Sequence, residues 1–494
     1  MMNEQSEASE TIEKESAERT DEIRNKKYYE NPLGVQPLGK LLLTFSVPAI
    51  ITGLISSIYN IVDQIFIGQG VGYLGNAATT VAFPVMTILL AFGTLIGSGA
   101  SAYAAIRLGE RKKKSAERAL NNALCLTVIV GVILMVAGLI FLRPILLLFG
   151  ATESVMPYAV DYVTVILIGS PFYLVSISMA NLVRTDGNPR LSMWGMLIGA
   201  ILNTILNPIY IFVLDMGVRG SAIATITSQI LSAVILVTYF LRPSKNRPDH
   251  MRIKKEYLRL NFRLVKNFLQ LGISSAITQS VACIMQIVMN NSLIYYGDRS
   301  PITGDVALGA MGIVMKIAMI LGSFGIGIGI GIGAQPILGY NRGAQKFDRI
   351  KKTYTMAVSF ASALVVAGWL ICQIFPEQII HIFGNESPQF SEFAVECLRI
   401  YLFGIFCAGF QIVSTSYFQA TGQPLKASIL SSLRQLTLLI PLILILPLFM
   451  GLDGILYSAP IADISSAVIV ACFIIPEMKK LKRKIQEGES IRQR

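Results

Sequence analysis

Residues 124–142 read LCLTVIVGVILMVAGLIFL, a run of 19 residues without one charged side chain. At 1.5 Å per residue a helix of this length is about 28 Å long, close to the roughly 30 Å hydrocarbon core of a bilayer. A transmembrane β-strand needs only about 9–11 residues of alternating character, and nothing alternates here. The stretches 191–214 and 428–450 are built alike, with Arg434 the single charge in the second. Across 494 residues 53% are hydrophobic and 15% charged, against roughly 25% charged in soluble proteins. The reading is an all-α polytopic membrane protein. Twelve transmembrane helices are expected, near 40–67, 78–106, 119–142, 157–183, 190–213, 218–241, 264–296, 306–339, 353–375, 390–420, 425–449 and 454–476.

The net charge of +12 does not describe a nucleic-acid face, because the basic residues sit in short runs between apolar spans. Of 42 lysines and arginines, 36 fall in alternate connections and the tails, while the other connections hold only Arg143, Arg219 and Arg299. The positive-inside rule puts the rich side in the cytoplasm of a cell membrane. Both termini then lie inside, which requires an even number of spans. Residues 1–37 are polar and read as a flexible cytoplasmic tail without the apolar core of a signal peptide. The six cysteines follow no metal or disulfide spacing, and His250 and His381 are far apart. No resident metal or cofactor is expected.

The chain also repeats itself. Gly99-Ala100 matches Gly333-Ala334, and Phe149-Gly150 matches Phe383-Gly384. Gly187-Asn188-Pro189 matches Gly422-Gln423-Pro424, and Gly217 and Gly220 match Gly451 and Gly454. The offset stays at 234 or 235 residues. Six spans per half is an even number, so the halves insert in the same orientation as a parallel pseudo-twofold pair with a cleft between them. The expected division is an N-lobe over 38–242, a cytoplasmic linker over 243–263, a C-lobe over 264–477 and a basic tail over 478–494.

A charge in mid-bilayer costs about 2.5–3.5 kcal/mol on insertion scales, so each one needs a reason. Asp63, in Tyr59-Asn60-Ile61-Val62-Asp63-Gln64, is either an ion or proton site or a hydrated helix-end carboxylate. Asn203 and Asn207 share a face four residues apart, and Pro208 removes a backbone donor beside them. They supply oxygen ligands or act as interhelical glue. Thr225 is a weaker candidate, being ordinary in a membrane helix. Lys316, Arg434 and Asp463 lie inside the eighth, eleventh and twelfth spans, as a structural ion pair with one cation left over or as parts of the cavity wall. The run Gly325, Gly327, Gly329, Gly331, Gly333 lacks the Lys-Ser/Thr of a phosphate loop and reads as close packing or a bend. Without a Walker motif, an ion gradient is the expected energy source. No acid, base and nucleophile set converges, so an enzyme is not expected.

Val62-Asp63-Gln64-Ile65, the Asn203-to-Pro208 segment, Arg107-Leu108-Gly109 and the two Gly-Asn/Gln-Pro turns together resemble the multidrug and toxic compound extrusion (MATE) family, in the bacterial branch that includes the DinF and MepA proteins. The similarity runs over about residues 37–477. It implies a V-shaped pair of six-helix lobes that exports amphipathic, often cationic compounds in exchange for H⁺ or Na⁺, as a monomer in contact with membrane lipid. It also implies that Asp63 is the coupling carboxylate, with Asn203, Asn207 and Thr225 as polar partners and Tyr162 beside them. A sodium ion would sit at Asp63, Asn203 and Asn207. Two departures stand out. Many relatives carry an aspartate where this chain has Asn207, and the seventh span offers Gln286 and Asn290 but no acid. A related two-lobe fold acting as a lipid-linked oligosaccharide or polysaccharide flippase is the alternative.

Overall fold

The computed structural model describes residues 31–71, 73–149, 151, 153–243, 249–329, 333–382 and 388–492. These residues form helices and connections without a strand. The long helices are α1 Leu38–Gly70, α2 Tyr73–Gly109, α3 Lys113–Ile140, α4 Met156–Thr185, α5 Pro189–Pro208, α6 Gly217–Leu241, α7 Phe262–Gly297, α8 Gly304–Gly329 and α9 Phe347–Ile374. They continue with α10 Phe390–Ala420 and α11 Pro424–Met450, each with an irregular turn inside, and α12 Leu452–Arg492. Among the described residues eleven helical segments are long and apolar enough to cross a membrane. The remaining expected span is α8, whose apolar part Gly309–Gly325 is shorter. The α8 helix itself runs 26 residues, Gly304–Gly329, and a further helix begins at Ala334; residues 330–332 between them lie outside the described residues. Gly331 lies outside the described residues.

The internal repeat is visible in backbone geometry that side chains cannot imitate. Arg111 and Gln345 both have positive φ, as do Gly187 and Gly422, and Gly217 and Gly451. Each pair keeps the 234- or 235-residue offset. Each Gly187-type turn closes its helix the same way, with Asn188 N donating to Val183 O (3.1 Å) and Gln423 N to Phe418 O (2.9 Å). A left-handed residue just past a helix end satisfies orphan carbonyls, which is why glycine recurs there. Gly150 and Phe383-Gly384, the other sequence anchor, lie outside the described residues.

The lobes interlock at the end that carries the basic connections. Leu41, Leu42 and Phe45 from the first half of α1 join a core with Ala357, Val413 and Tyr417 of the second half. Reciprocally, Val265 and Phe268 from the start of α7 join Leu120, Met179 and Leu236 of the first. Gly99 of α2 meets α7 so closely that a Cβ there would lie 2.2 Å from Phe268 O. The repeat-related pair Gly109 and Gly343 abut across the pseudo-axis: a Cβ on either would fall 1.9 Å from a carbonyl oxygen of the other lobe. Ser98 and Ser275 hydrogen-bond at 2.8 Å, and Gln419 donates to both at 3.0 Å. This geometry makes Gly343→Val an overpacking change costing about 1–3 kcal/mol in this arrangement only. In a background without the native cysteines, disulfide trapping between Ser98→Cys and Ser275→Cys is expected to drop about fivefold or more when Gly343→Val is added.

Three stretches at the expected boundaries are held by the fold. Residues 31–37 are not a loose tail: Asn31 caps a short helix Pro32–Val35 through Leu33 N (2.9 Å) and donates to Asp249. The Leu33, Gly34 and Gln36 carbonyls accept from Asn341, Lys346 and Arg349 at 3.0, 2.9 and 2.7 Å. Free backbone carbonyls and adjacent cations are enough to tie the segment down. Residues 1–30 lie outside the described residues, as do 244–248 of the linker. The remainder of the linker is a strap. Buried His250 bonds Asp186 at 2.6 Å, Met251 N donates to Asp186 at 2.8 Å, and Asn121 and Asn122 pair with the strap backbone like peptide groups. Residues 478–492 of the basic tail are a helical continuation of α12.

Candidate functional site

Asp63 sits on α1 in the half away from the basic connections. Its Oδ1 accepts from Ser221 Oγ on α6 at 2.8 Å and from Asn207 Nδ2 on α5. Asn207 Nδ2 also donates to Asn203 Oδ1 (3.2 Å), and Asn203 Nδ2 donates to Thr225 Oγ1 (3.0 Å). One connected chain therefore runs from the carboxylate through both amides to a hydroxyl, across three helices. Asn203, Asn207 and Thr225 are buried, so in a low-dielectric surround these bonds are strong and costly to leave unmade. Tyr162, buried on α4, and Tyr59, one turn below Asp63, both lie near enough to feel its charge. The side chain of Asn60 lies outside what is described.

Local sequence produces this arrangement. The four-residue spacing of Asn203 and Asn207 stacks both amides on one face of α5. Directly after Pro208 the helix loosens into a π-turn, Ile209–Val213, as a missing donor allows. Ser221 was absent from the sequence candidates. It precedes Thr225 by one turn on the same face of α6, which was the available signal.

The pocket suits either a proton or a small hard cation. Asn207 Oδ1 is buried and has no hydrogen-bond partner among the described residues. An orphaned acceptor on an amide that bonds a carboxylate is a ready oxygen ligand, and Asn203 Oδ1, bonded to the same amide, adds a second oxygen. Among the described residues no cluster of three or more His, Cys, Asp and Glu groups could hold a metal.

In the second half, Arg434 Nε donates to Asp463 Oδ1, an ion pair between α11 and α12. Gln411 donates to the Asp463 carbonyl at 2.6 Å, and Gly404 packs on the aspartate so closely that a Cβ would sit 2.7 Å from its own. These three elements hold Arg434 and Asp463 together as an ion pair. Lys316 is not part of it and stands exposed on α8. Gln286 donates to Asn290 at 2.9 Å, a local pair on α7.

The fold has counterparts among known proteins. The sequence profile of the MatE family matches residues 48–209 and 275–444, one block in each half. Multidrug export protein MepA of Staphylococcus haemolyticus (strain JCSC1435) is 26% identical over 444 residues, covering 89% of this chain and 94% of that protein. Its namesake from Staphylococcus aureus (strain MSSA476) is 26% identical over 439 residues, covering 89% of this chain and 94% of its own. The solved MATE multidrug transporter DinF-BH is 32% identical with a TM-score of 0.81, covering 90% of this chain and 96% of its own. An outward-facing multidrug resistance MATE family transporter of the MOP superfamily shares the fold, with a TM-score of 0.83 at 23% identity, covering 91% of this chain and 98% of that one. With both halves matched by the family profile and nearly the whole length matched by a 32%-identical transporter, the chain belongs to the MatE family of multidrug efflux transporters, membrane proteins that move solutes rather than enzymes.

Proposed function

We propose that this transporter is a secondary antiporter: it exports amphipathic organic compounds, cationic ones among them, in exchange for protons, by alternating access of two lobes (38–242 and 264–477). The observation that carries this reading is the Asp63 network, a carboxylate held by Ser221 and Asn207 between helices. Ionised Asp63 accepts both bonds, and neutralising it weakens the tie between α1 and the α5–α6 pair. Because α1 also packs its first half into the core of the other lobe, a change in its grip at Asp63 is felt across the cleft. Only a ligand that binds the two conformations unequally can shift them. A proton or cation at Asp63 meets that requirement if the network exists in one conformation and loosens in the other. The end bearing the basic connections is placed in the cytoplasm, with both termini, and one chain supplies both lobes, so no partner subunit is needed.

Sodium is the competing ion, supported by the orphaned Asn207 oxygen. Efflux of a fluorescent cationic dye from proteoliposomes with imposed ΔpH or ΔNa⁺ separates the two. The proposal expects ΔpH alone to drive accumulation. Drive by ΔNa⁺ alone would assign the site to sodium, and indifference to both gradients would end the antiport reading.

A further inference from the structure

Lys316 stands at the middle of α8, about 18–20 Å along the helix from each end. A four-carbon stem cannot carry its ammonium to the headgroups from there, so snorkelling does not explain it. Among the described residues it has neither an ion-pair nor a hydrogen-bond partner, since Asp463 is taken by Arg434. A charge at that depth, without a partner among the described residues, is expensive unless it faces water or a ligand.

The face it occupies tells where it points. On α8 the residues Ala307, Ala310, Met311, Val314, Ile317 and Leu321 are buried in the lobe. Gly312, Lys316, Met319 and Ile320 form the exposed stripe on the other side. Ser323 continues that stripe and is where α1 crosses: a Cβ on Gly53 would lie 3.5 Å from the Ser323 Cβ. Helical spacing puts Lys316 seven residues along and within about 20° of Ser323. It therefore faces the gap between α8 and α1, the seam between the lobes. One turn further, nothing lies within 4 Å of a Cβ on Gly312, so the helices have parted there. Counting from the crossing, Lys316 is about 10 Å and Asp63 about 15 Å along their antiparallel helices. The two opposite charges therefore sit within about one turn of each other in depth, on separate lobes.

We propose that Lys316 is the point at which this transporter recognises a substrate carboxylate, the residue that sets its preference between an amphiphile with a free carboxylate and the matching ester. A carboxylate at Lys316 supplies a counter-charge through a charge-assisted hydrogen bond. The cationic part of a zwitterion then lies toward the Asp63 side of the cleft. The proposal rests on the export reading above.

The test uses two rhodamine dyes that differ only in a free carboxylate or its methyl ester, so size and aromatic surface are constant. Fluorescence polarisation on purified full-length protein gives affinity, and proteoliposome efflux gives transport. Lys316→Gln is expected to weaken binding of the carboxylate dye about tenfold. The same change is expected to tighten the ester about two- to threefold by removing cation repulsion, which also reports that the variant is folded. Lys316→Arg is expected to keep the carboxylate preference. Equal effects of Lys316→Gln on both dyes, with the ester still exported, would overturn the role of Lys316 and leave the export reading standing. If wild-type protein exports neither dye under any gradient, the export reading falls, and this inference with it.

Discussion

Gradient-driven efflux by Asp63→Asn is expected to fall to the passive leak, a loss of about tenfold or more, while the protein still inserts, purifies and binds dye. Asparagine is nearly isosteric and can still accept from Ser221 and Asn207 through its carbonyl oxygen, so the helix contacts around position 63 survive. What is lost is the group whose charge changes. A ligand with equal affinity for both conformations shifts nothing, however steep its gradient. Removing the protonatable site thus removes coupling without removing the fold. Efflux in proteoliposomes under ΔpH, beside dye binding in detergent, reads the two quantities separately. Asn207→Leu extends the prediction, because it removes the donor to Asp63 and the buried orphan oxygen together.

Asp463→Ala is expected to be the most destabilising single change, about 3–5 kcal/mol, because it strands the Arg434 guanidinium inside the second lobe. The low end of that range is appropriate, since the Arg434 side chain keeps 33% of its exposure. Gly404, packed against the aspartate, and Gln411, bonded to its carbonyl, pass the damage to α10. The double change Arg434→Met with Asp463→Leu should recover most of the loss, as apolar replacements of buried pairs usually do. Thermal unfolding of the purified variants checks this order, and a recovered double variant that still transports would establish the pair as structural.

Much of this architecture could be read from the chain because the bilayer leaves few options. Backbone groups in hydrocarbon must bond within their own segment, so long apolar runs become helices. The repeat was legible because its punctuation is set by backbone conformation: Gly187 and Gly422 sit at positive φ, where other residues are strained. Asp63, Asn203, Asn207 and Thr225 could be selected as buried polar groups that need partners. That Asp63 contacts Ser221 rather than some other hydroxyl depends on how α1 meets α6, which no local pattern encodes. The Arg434–Asp463 pairing and the isolation of Lys316 depend likewise on helix rotation. The strap that clips residues 249–261 to Asp186, Asn121 and Asn122 was hidden for a different reason. Its apolar content is low and its hold comes from side chains substituting for peptide groups, which periodicity does not register.

The central claim is that neutralising Asp63 moves the lobes relative to one another. Arg219 and Asp453 are exposed, repeat-related positions, one at the start of α6 and one at the start of α12. Spin labels at these two sites, in a background without the native cysteines, allow pulsed electron resonance to measure the opening as pH is lowered. The distance distribution of the otherwise native protein is expected to shift with acidification, and that of Asp63→Asn to stay fixed. An Asp63→Asn distribution that shifts with pH as the native one does would contradict the account.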